Sequence, residues 1–235
     1  MTPPTWASGR SGGASSPIRC RGALPKPRAA GIIPSMTRIE ALTRRPGLTL
    51  AAADLGPVAT LAWSSLARLL RWDEAILLKA RRLHSPRRTA LARALTRAGD
   101  GSSWTLYALL LLATFDPTAV AATLRLATAA GIATLLSQIL KRSLGRARPD
   151  RAIVGFEALS GNPDRFSFPS GHTAAAFAVA VAFAGAPFGL GAALFLFALG
   201  IAVSRVYLGA HYPLDVAAGA VLGLFAGLAS RLLVS

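Results

Sequence analysis

An all-α integral membrane bundle is the fold class this sequence predicts, and three observations carry the prediction. Only 15% of the 235 residues are charged while 53% are hydrophobic, where soluble domains carry roughly 25% charged residues. The mean hydropathy is +0.48. The apolar residues also gather into long uncharged runs, among them Thr173 to Val203, 31 residues without a charge. A run beyond about 18 apolar residues reads as a spanning segment, and backbone groups in hydrocarbon must pair internally, which selects helices. Five or six transmembrane helices are expected. A single cysteine, Cys20, allows no internal disulfide, so a disulfide scaffold is excluded.

Residues 1–47 stand apart as a basic tail. Up to Ile39 the chain holds no Asp or Glu and is rich in Pro, Gly, Ser and Arg, a composition with too little apolar surface to offset chain entropy. An acid-poor, Arg-rich and Ser-rich leader also has the make-up of an organelle transit peptide, and Met36 offers a second start. The expectation is a disordered tail without a function of its own, followed by one domain over residues 48–235.

Within that domain Leu48–Leu70 is an interrupted apolar stretch, broken by Asp54, Pro57 and Arg68. Arg71 to Arg97 carries eight Lys and Arg. Apolar Ile76, Leu77, Ala80 and Leu83 recur there at helical spacing, as do Leu91, Ala94, Leu95 and Ala98. Residues 71–100 therefore read as an amphipathic segment on the membrane surface, drawn to anionic headgroups. Nucleic acid is not the expected partner, because no aromatic interleaving or known module accompanies the charge. Trp104–Phe115 is strongly apolar but short. Thr118–Leu140 is long enough to span, with Arg125 and Gln138 expected to face the bundle interior. The 31-residue run would be about 46 Å long as one helix, against a hydrocarbon core of about 30 Å. Gly185, Ala186, Pro187 and Gly189 near its middle predict a hairpin of two helices instead. Pro213–Val234 closes the chain as a last span, with Pro213 at the first helical position.

The chemistry sits at helix ends, in three polar clusters. Lys141 to Pro149 follows a span, Phe168 to His172 precedes one, and Ser204 to Asp215 bridges two. With the hairpin in place, all three emerge on the same membrane face; with a single span they would not. Lys141, Arg148 and Arg205 are cations suited to phosphate oxygens. Ser170, Gly171 and His172 open a helix, where unpaired N–H groups and the dipole favour an anion. His211, four residues before Asp215, reads as a nucleophile whose tautomer the carboxylate fixes, and His172 as a general acid. Two histidines and a carboxylate could also hold a metal, but three neighbouring cations would repel it, so no metal and no cofactor is expected. Arg142 and Arg146 are assigned as interfacial anchors and His84 as a surface residue.

The pattern K-x6-R-P, P-S-G-H and S-R-x5-H-x3-D resembles the three-part signature of the type 2 phosphatidic acid phosphatase (PAP2) family. Every motif position is matched: Lys141, Arg148 and Pro149; Pro169, Ser170, Gly171 and His172; Ser204, Arg205, His211 and Asp215. The resemblance covers residues 70–235. It implies a six-helix membrane bundle and a metal-independent phosphomonoesterase or pyrophosphatase working through a phosphohistidine. In that case His211 is the nucleophile, Asp215 its orienting partner and His172 the proton donor, while Lys141, Arg148, Ser170, Gly171 and Arg205 hold the phosphate. The implied substrate is a membrane lipid phosphate: an isoprenyl diphosphate such as undecaprenyl diphosphate, phosphatidic acid, phosphatidylglycerol phosphate or lipid A. An alternative is a non-catalytic protein that binds or transports anionic lipid with the same basic pocket. A bacterial inner membrane with the site facing the periplasm is implied. The positive-inside rule pulls the other way, with eight Lys and Arg in the tail and fifteen on the active-site side.

Overall fold

In a computed structural model, residues 57–161, 164–187 and 189–234 are described, and the tail, residues 1–47, lies outside them. Eight helices follow one another among the described residues: α1 (Pro57–Arg81), α2 (Pro86–Ala98), α3 (Gly101–Leu112), α4 (Pro117–Leu144), α5 (Pro149–Ala152), α6 (Gly171–Ala182), α7 (Leu190–Tyr207) and α8 (Pro213–Leu233). No strand occurs among these residues; an isolated bridge pairs Ala147 with Phe166. The fold is all-α, as expected.

Local chemistry sets the helix ends. Asp116 caps α4, its Oδ1 accepting the Thr118 N–H at 2.7 Å, with Pro117 in the first turn where a missing N–H costs nothing. The left-handed Gly145 (φ 62°) stops the same helix four residues beyond Lys141, so Lys141 lies within its last turn. The expected hairpin is present: α6 ends at Ala182 and α7 begins at Leu190, after Gly189 at φ 72°. From Pro57 onward the interrupted stretch and the start of the basic segment are one helix, since α1 runs unbroken to Arg81; residues 48–56 lie outside the described residues.

Helix α6 is the hub, packed against α4, α7 and α8. Its alanines, Ala174, Ala176, Ala178 and Ala180 among them, are buried. Small side chains permit close approach, and α8 answers with glycine every fourth residue. A Cβ on Gly219, Gly223 or Gly227 would lie 2.5 Å from the carbonyl oxygen of Ser170, Ala174 or Ala178 respectively. Each is closer than real Cβ atoms come, so backbone meets backbone along this seam, the arrangement that small residues support between membrane helices.

The outward faces are apolar. Leu106, Leu109 and Leu110 on α3, Leu124, Leu135 and Ile139 on α4, Leu196 and Leu199 on α7, and Val221, Phe225 and Leu228 on α8 are exposed. Contiguous apolar surface of this kind suits lipid, not water. By length and composition α4 (over Thr118–Leu144), α7 and α8 can each cross a membrane, while α3 and α6 are apolar but only 12 residues long. Helix α2 follows the same inverted logic. Its buried residues are Ala92 and Thr96, facing α7, whereas Leu91 of the apolar stripe is 62% exposed. Leu95, one turn on, instead packs toward Gly200 of α7, so the stripe is shared between the outer surface and the bundle.

Substituting Gly223 by Val is expected to destabilise the bundle by about 1–3 kcal/mol through overpacking. Gly131→Ala, where a Cβ meets nothing within 4 Å, is expected to be neutral. Thermal unfolding in detergent compares the two.

Candidate active site

Backbone hydrogen bonds join the three polar clusters at one end of the bundle. The Ser167 N–H donates to the Arg146 carbonyl at 2.8 Å, tying the segment after Gly145 to the segment before α6. The Ser170 N–H donates to the Asp215 carbonyl at 2.9 Å, tying α6 to α8. Between α7 and α8 the chain turns at Gly209 (φ 71°), where a Cβ would also lie 2.8 Å from the Phe156 ring. Only glycine satisfies both demands, and the turn delivers His211 with its N–H 3.3 Å from the Arg205 carbonyl.

These segments enclose a cavity of about 540 Å³ lined by Lys141, Arg148, Arg205, His172 and His211. Lys141, Arg148 and Arg205 are each no more than 5% exposed. Lys141 Nζ lies 2.5 Å from Asp164 Oδ2. Arg148 donates through Nε to the Asp164 carbonyl at 2.8 Å and through Nη1 to the Ala210 carbonyl at 2.9 Å. Burial alone would raise the Asp164 pKa, but the Lys141 hydrogen bond and charge, with Arg148, hold it below the usual carboxylate range. Ser170, Gly171 and Asp215 do not line the cavity. The Ser170 hydroxyl is fully buried and pairs with Thr173 Oγ1 at 3.0 Å.

The state of His211 follows from its neighbours. Arg148 Nη1 lies 3.3 Å from His211 Nε2. A guanidinium can only donate, so Nε2 is the acceptor and the ring proton sits on Nδ1. Nδ1 faces Asp215 Oδ2 at 3.6 Å, longer than a hydrogen bond. Burial, the largest cause, together with the charges of Arg205 and Arg148 outweighs Asp215 and pushes the imidazole pKa down to about 3. His211 is therefore neutral at physiological pH, with a lone pair on Nε2. Across the cavity His172 donates from Nε2 to Asp100 Oδ1 at 2.6 Å.

Sequence reasoning missed several of these groups. Asp100, at the N-terminus of α3, offered no spacing signal linking it to a histidine 72 residues away. Arg93 and Arg97 of α2 also line the cavity, Arg93 bonding the Leu159 carbonyl through Nε and Nη2 at 3.2 and 3.0 Å. Two assignments from the sequence need correction. Arg146 is not an interfacial anchor, since its guanidinium is paired with two buried carboxylates. His84 is not simply a surface residue, because its Nε2 sits 2.8 Å from the Tyr207 carbonyl, tying the α1–α2 turn to the end of α7. Arg125 fits its inward assignment, donating to the Val234 carbonyl beyond α8 at 3.2 and 3.0 Å. Among the described residues no group of three or more His, Cys, Asp or Glu is placed to hold a metal ion.

Comparison with known proteins places this geometry. The PAP2 superfamily profile matches residues 122–235. A decaprenylphosphoryl-5-phosphoribose phosphatase of Mycolicibacterium smegmatis is 32% identical over 154 residues, 63% of this chain and 82% of that protein. The chain belongs to the PAP2 superfamily. A lipid A 1-phosphatase of Rhizobium etli is 41% identical over 93 residues, 38% of this chain, and the match spans only 40% of that relative's length. Two solved structures share the PAP2 fold over most of their length. LpxE of Aquifex aeolicus has 30% identity and a TM-score of 0.56, with 66% of this chain and 92% of that one covered. A transmembrane PAP2-type phosphatidylglycerolphosphate phosphatase of Bacillus subtilis has 27% identity and a TM-score of 0.60, with 79% and 90% covered.

The neutral, buried His211 of this PAP2 site makes a stability prediction with a definite sign. Its folded pKa of about 3 lies below the unfolded value of about 6.5, so unfolding takes up a proton between those two pH values. Stability is fully present above about pH 6.5 and declines as pH falls toward 3. His211→Gln, which cannot titrate, is expected to unfold with about one fewer proton taken up in that window, measured from the pH dependence of unfolding free energy in detergent.

Proposed function

We propose that the protein is a metal-independent lipid phosphatase that forms a covalent phosphohistidine on His211. The observation that carries this reading is the Arg148 contact on His211 Nε2, 3.3 Å. It accounts for a neutral imidazole with its lone pair beside a cavity lined by Lys141, Arg148 and Arg205. In the first step Arg148 turns from Nε2 to a phosphate oxygen and Nε2 attacks phosphorus while the bond to the lipid oxygen breaks. His172, protonated to the imidazolium as the phosphate anion binds and held through one N–H by Asp100, donates its second ring proton to that oxygen. The leaving alcohol, or lipid phosphate from a diphosphate, departs. Water then attacks the phosphohistidine with His172 as base, releasing inorganic phosphate and restoring the neutral ring. The three cations stabilise the charge that gathers on the phosphoryl oxygens, and Asp215 orients Nδ1–H.

Lys141, Arg148 and Arg205 are the proposed phosphate ligands from side chains, with the Gly171 backbone contributing at the start of α6; Ser170, its N–H bonded to the Asp215 carbonyl and its hydroxyl to Thr173, holds that helix start in place. Gly171 supports this assignment. A Cβ there would meet Lys141 Nζ at 3.8 Å and Ser137 Cβ at 3.9 Å, ordinary contacts, so packing alone does not call for glycine, whereas a phosphate resting on the backbone would. The relatives' names speak of phosphates on lipid A, on a decaprenyl-linked ribose and on phosphatidylglycerol. The shared chemistry is a phosphate monoester on a membrane-anchored headgroup, and that is the proposed substrate class. Undecaprenyl diphosphate and phosphatidic acid remain in the panel to be assayed. The proposed setting is a bacterial inner membrane with the cavity on the periplasmic side.

Purified protein is expected to release phosphate from at least one member of that panel presented in mixed micelles, without loss of rate in excess chelator. His211→Ala is expected to lower kcat by at least about 10³-fold; full activity in that variant would overturn the nucleophile assignment. For topology, Val154→Cys in a Cys20→Ser background places a thiol on a residue 94% exposed, in the loop after α5. Labelling of intact cells by a membrane-impermeant maleimide is expected; labelling only after lysis would put the cavity in the cytoplasm.

A further inference from the structure

Outside the cavity lining, a second charged cluster stands behind His211. Arg146 sets Nη1 2.7 Å from Asp215 Oδ1 and Nη2 2.6 Å from Asp73 Oδ2. Both carboxylate side chains are 0% exposed and the arginine side chain 23%. Each carboxylate spends its other oxygen on the start of α8. Asp73 Oδ1 accepts the Leu214 N–H at 2.8 Å, and Asp215 Oδ2 accepts the Tyr212 N–H at 2.9 Å. The guanidinium carbon lies 4.1 Å from the centroid of the Tyr212 ring, which covers the face of the fork.

We infer that Arg146, held by Asp73, is a positioning residue for the His211–Asp215 pair. The inference rests on the nucleophile reading above. Asp215 Oδ2 is the oxygen that faces His211 Nδ1, at 3.6 Å, so rotation of this carboxylate about its own axis would carry that negative oxygen away from the ring. Arg146 blocks that rotation by fixing Oδ1, and its planar fork cannot swing because its second arm is bound to Asp73 and one face is covered by Tyr212. An ammonium could meet one carboxylate but not hold the plane of both. The arrangement links α1, the segment between α4 and α5, and the first turn of α8, so the histidine's orientation depends on a residue of α1 remote from the phosphate pocket.

A residue acting through Asp215 should change turnover and leave phosphate binding alone. The test uses the full-length protein in detergent, with dioctanoyl phosphatidic acid as substrate and inorganic phosphate as competitive inhibitor, and compares wild type with Arg146→Gln, Arg146→Lys, Asp73→Asn and His211→Ala. Arg146→Gln is expected to lower kcat on the order of 30-fold, the scale of outer partners of a functional histidine, with KM and the phosphate inhibition constant within about twofold. Arg146→Lys should recover about a third of that loss on a logarithmic scale. Asp73→Asn, which keeps an acceptor for the Leu214 N–H, should cost about 5–10-fold in kcat alone. If His211→Ala is inactive while Arg146→Gln and Asp73→Asn turn over as wild type, the positioning role is wrong and the nucleophile reading stands. If both variants lose kcat, phosphate inhibition and thermal midpoint together and lysine restores none of it, the cluster is a structural tie and the inference is overturned. Activity in His211→Ala would overturn both.

Discussion

Crowding of positive charge at one end of an otherwise charge-poor bundle is the constraint around which this molecule is built. Lys141, Arg148 and Arg205 are almost wholly removed from water, and each exerts its field on the others through a medium of lower polarity than water. Such a set is tolerable only when counter-charge and donors' partners are supplied from the protein or from a ligand. Carboxylates provide part of it: Asp164 reaches Lys141 and Arg148, and Asp100 faces His172. Main-chain carbonyls of Asp164 and Ala210 take further donors of Arg148. Burial, reinforced by the same positive field, keeps His211 unprotonated, so the environment that would attract an anion also leaves the imidazole neutral beside it.

Much of this was legible in the sequence because the signals were local. A glycine and proline cluster in the middle of a 31-residue uncharged run breaks the helix where the hairpin occurs, and the parity argument then gathers the clusters at one end. Lys141, Arg148, Arg205, His172 and His211 each stand at a helix terminus, and the structure brings all five to one cavity. What escaped were groups whose meaning depends on contacts between elements far apart in the chain. Asp73 sits in a run of basic residues and reads as an incidental acid. Arg146 sits next to motif positions and resembles an anchoring cation. Neither spacing nor periodicity links them across 73 residues. The exposed Leu91 of α2 is compatible with the amphipathic reading of that segment, in which apolar residues face lipid.

Membership of the PAP2 superfamily accounts for the common framework, and the chain's own residues account for the rest. The cavity mouth is bordered by α2 and by the loop between α5 and α6, joined where Arg93 meets the Leu159 carbonyl. The loop is fastened again where the Leu159 N–H donates to the Leu208 carbonyl at 2.8 Å. Arg93 and Leu159 thus line the same cavity as the two histidines, on a part of its wall built from other elements.

The glycine ladder of α8 has a mechanical consequence. With carbonyls of α6 seated where side chains would otherwise stand, the two rods can neither slide nor tilt without steric collision, and each carries one of the cavity's imidazoles at or next to its leading end. The spacing between His172 and His211 is thereby calibrated by main chain instead of by flexible side-chain packing. Breathing motions that widen the cavity would fall to the more loosely joined outer helices, leaving the two imidazoles undisturbed while the doorway moves.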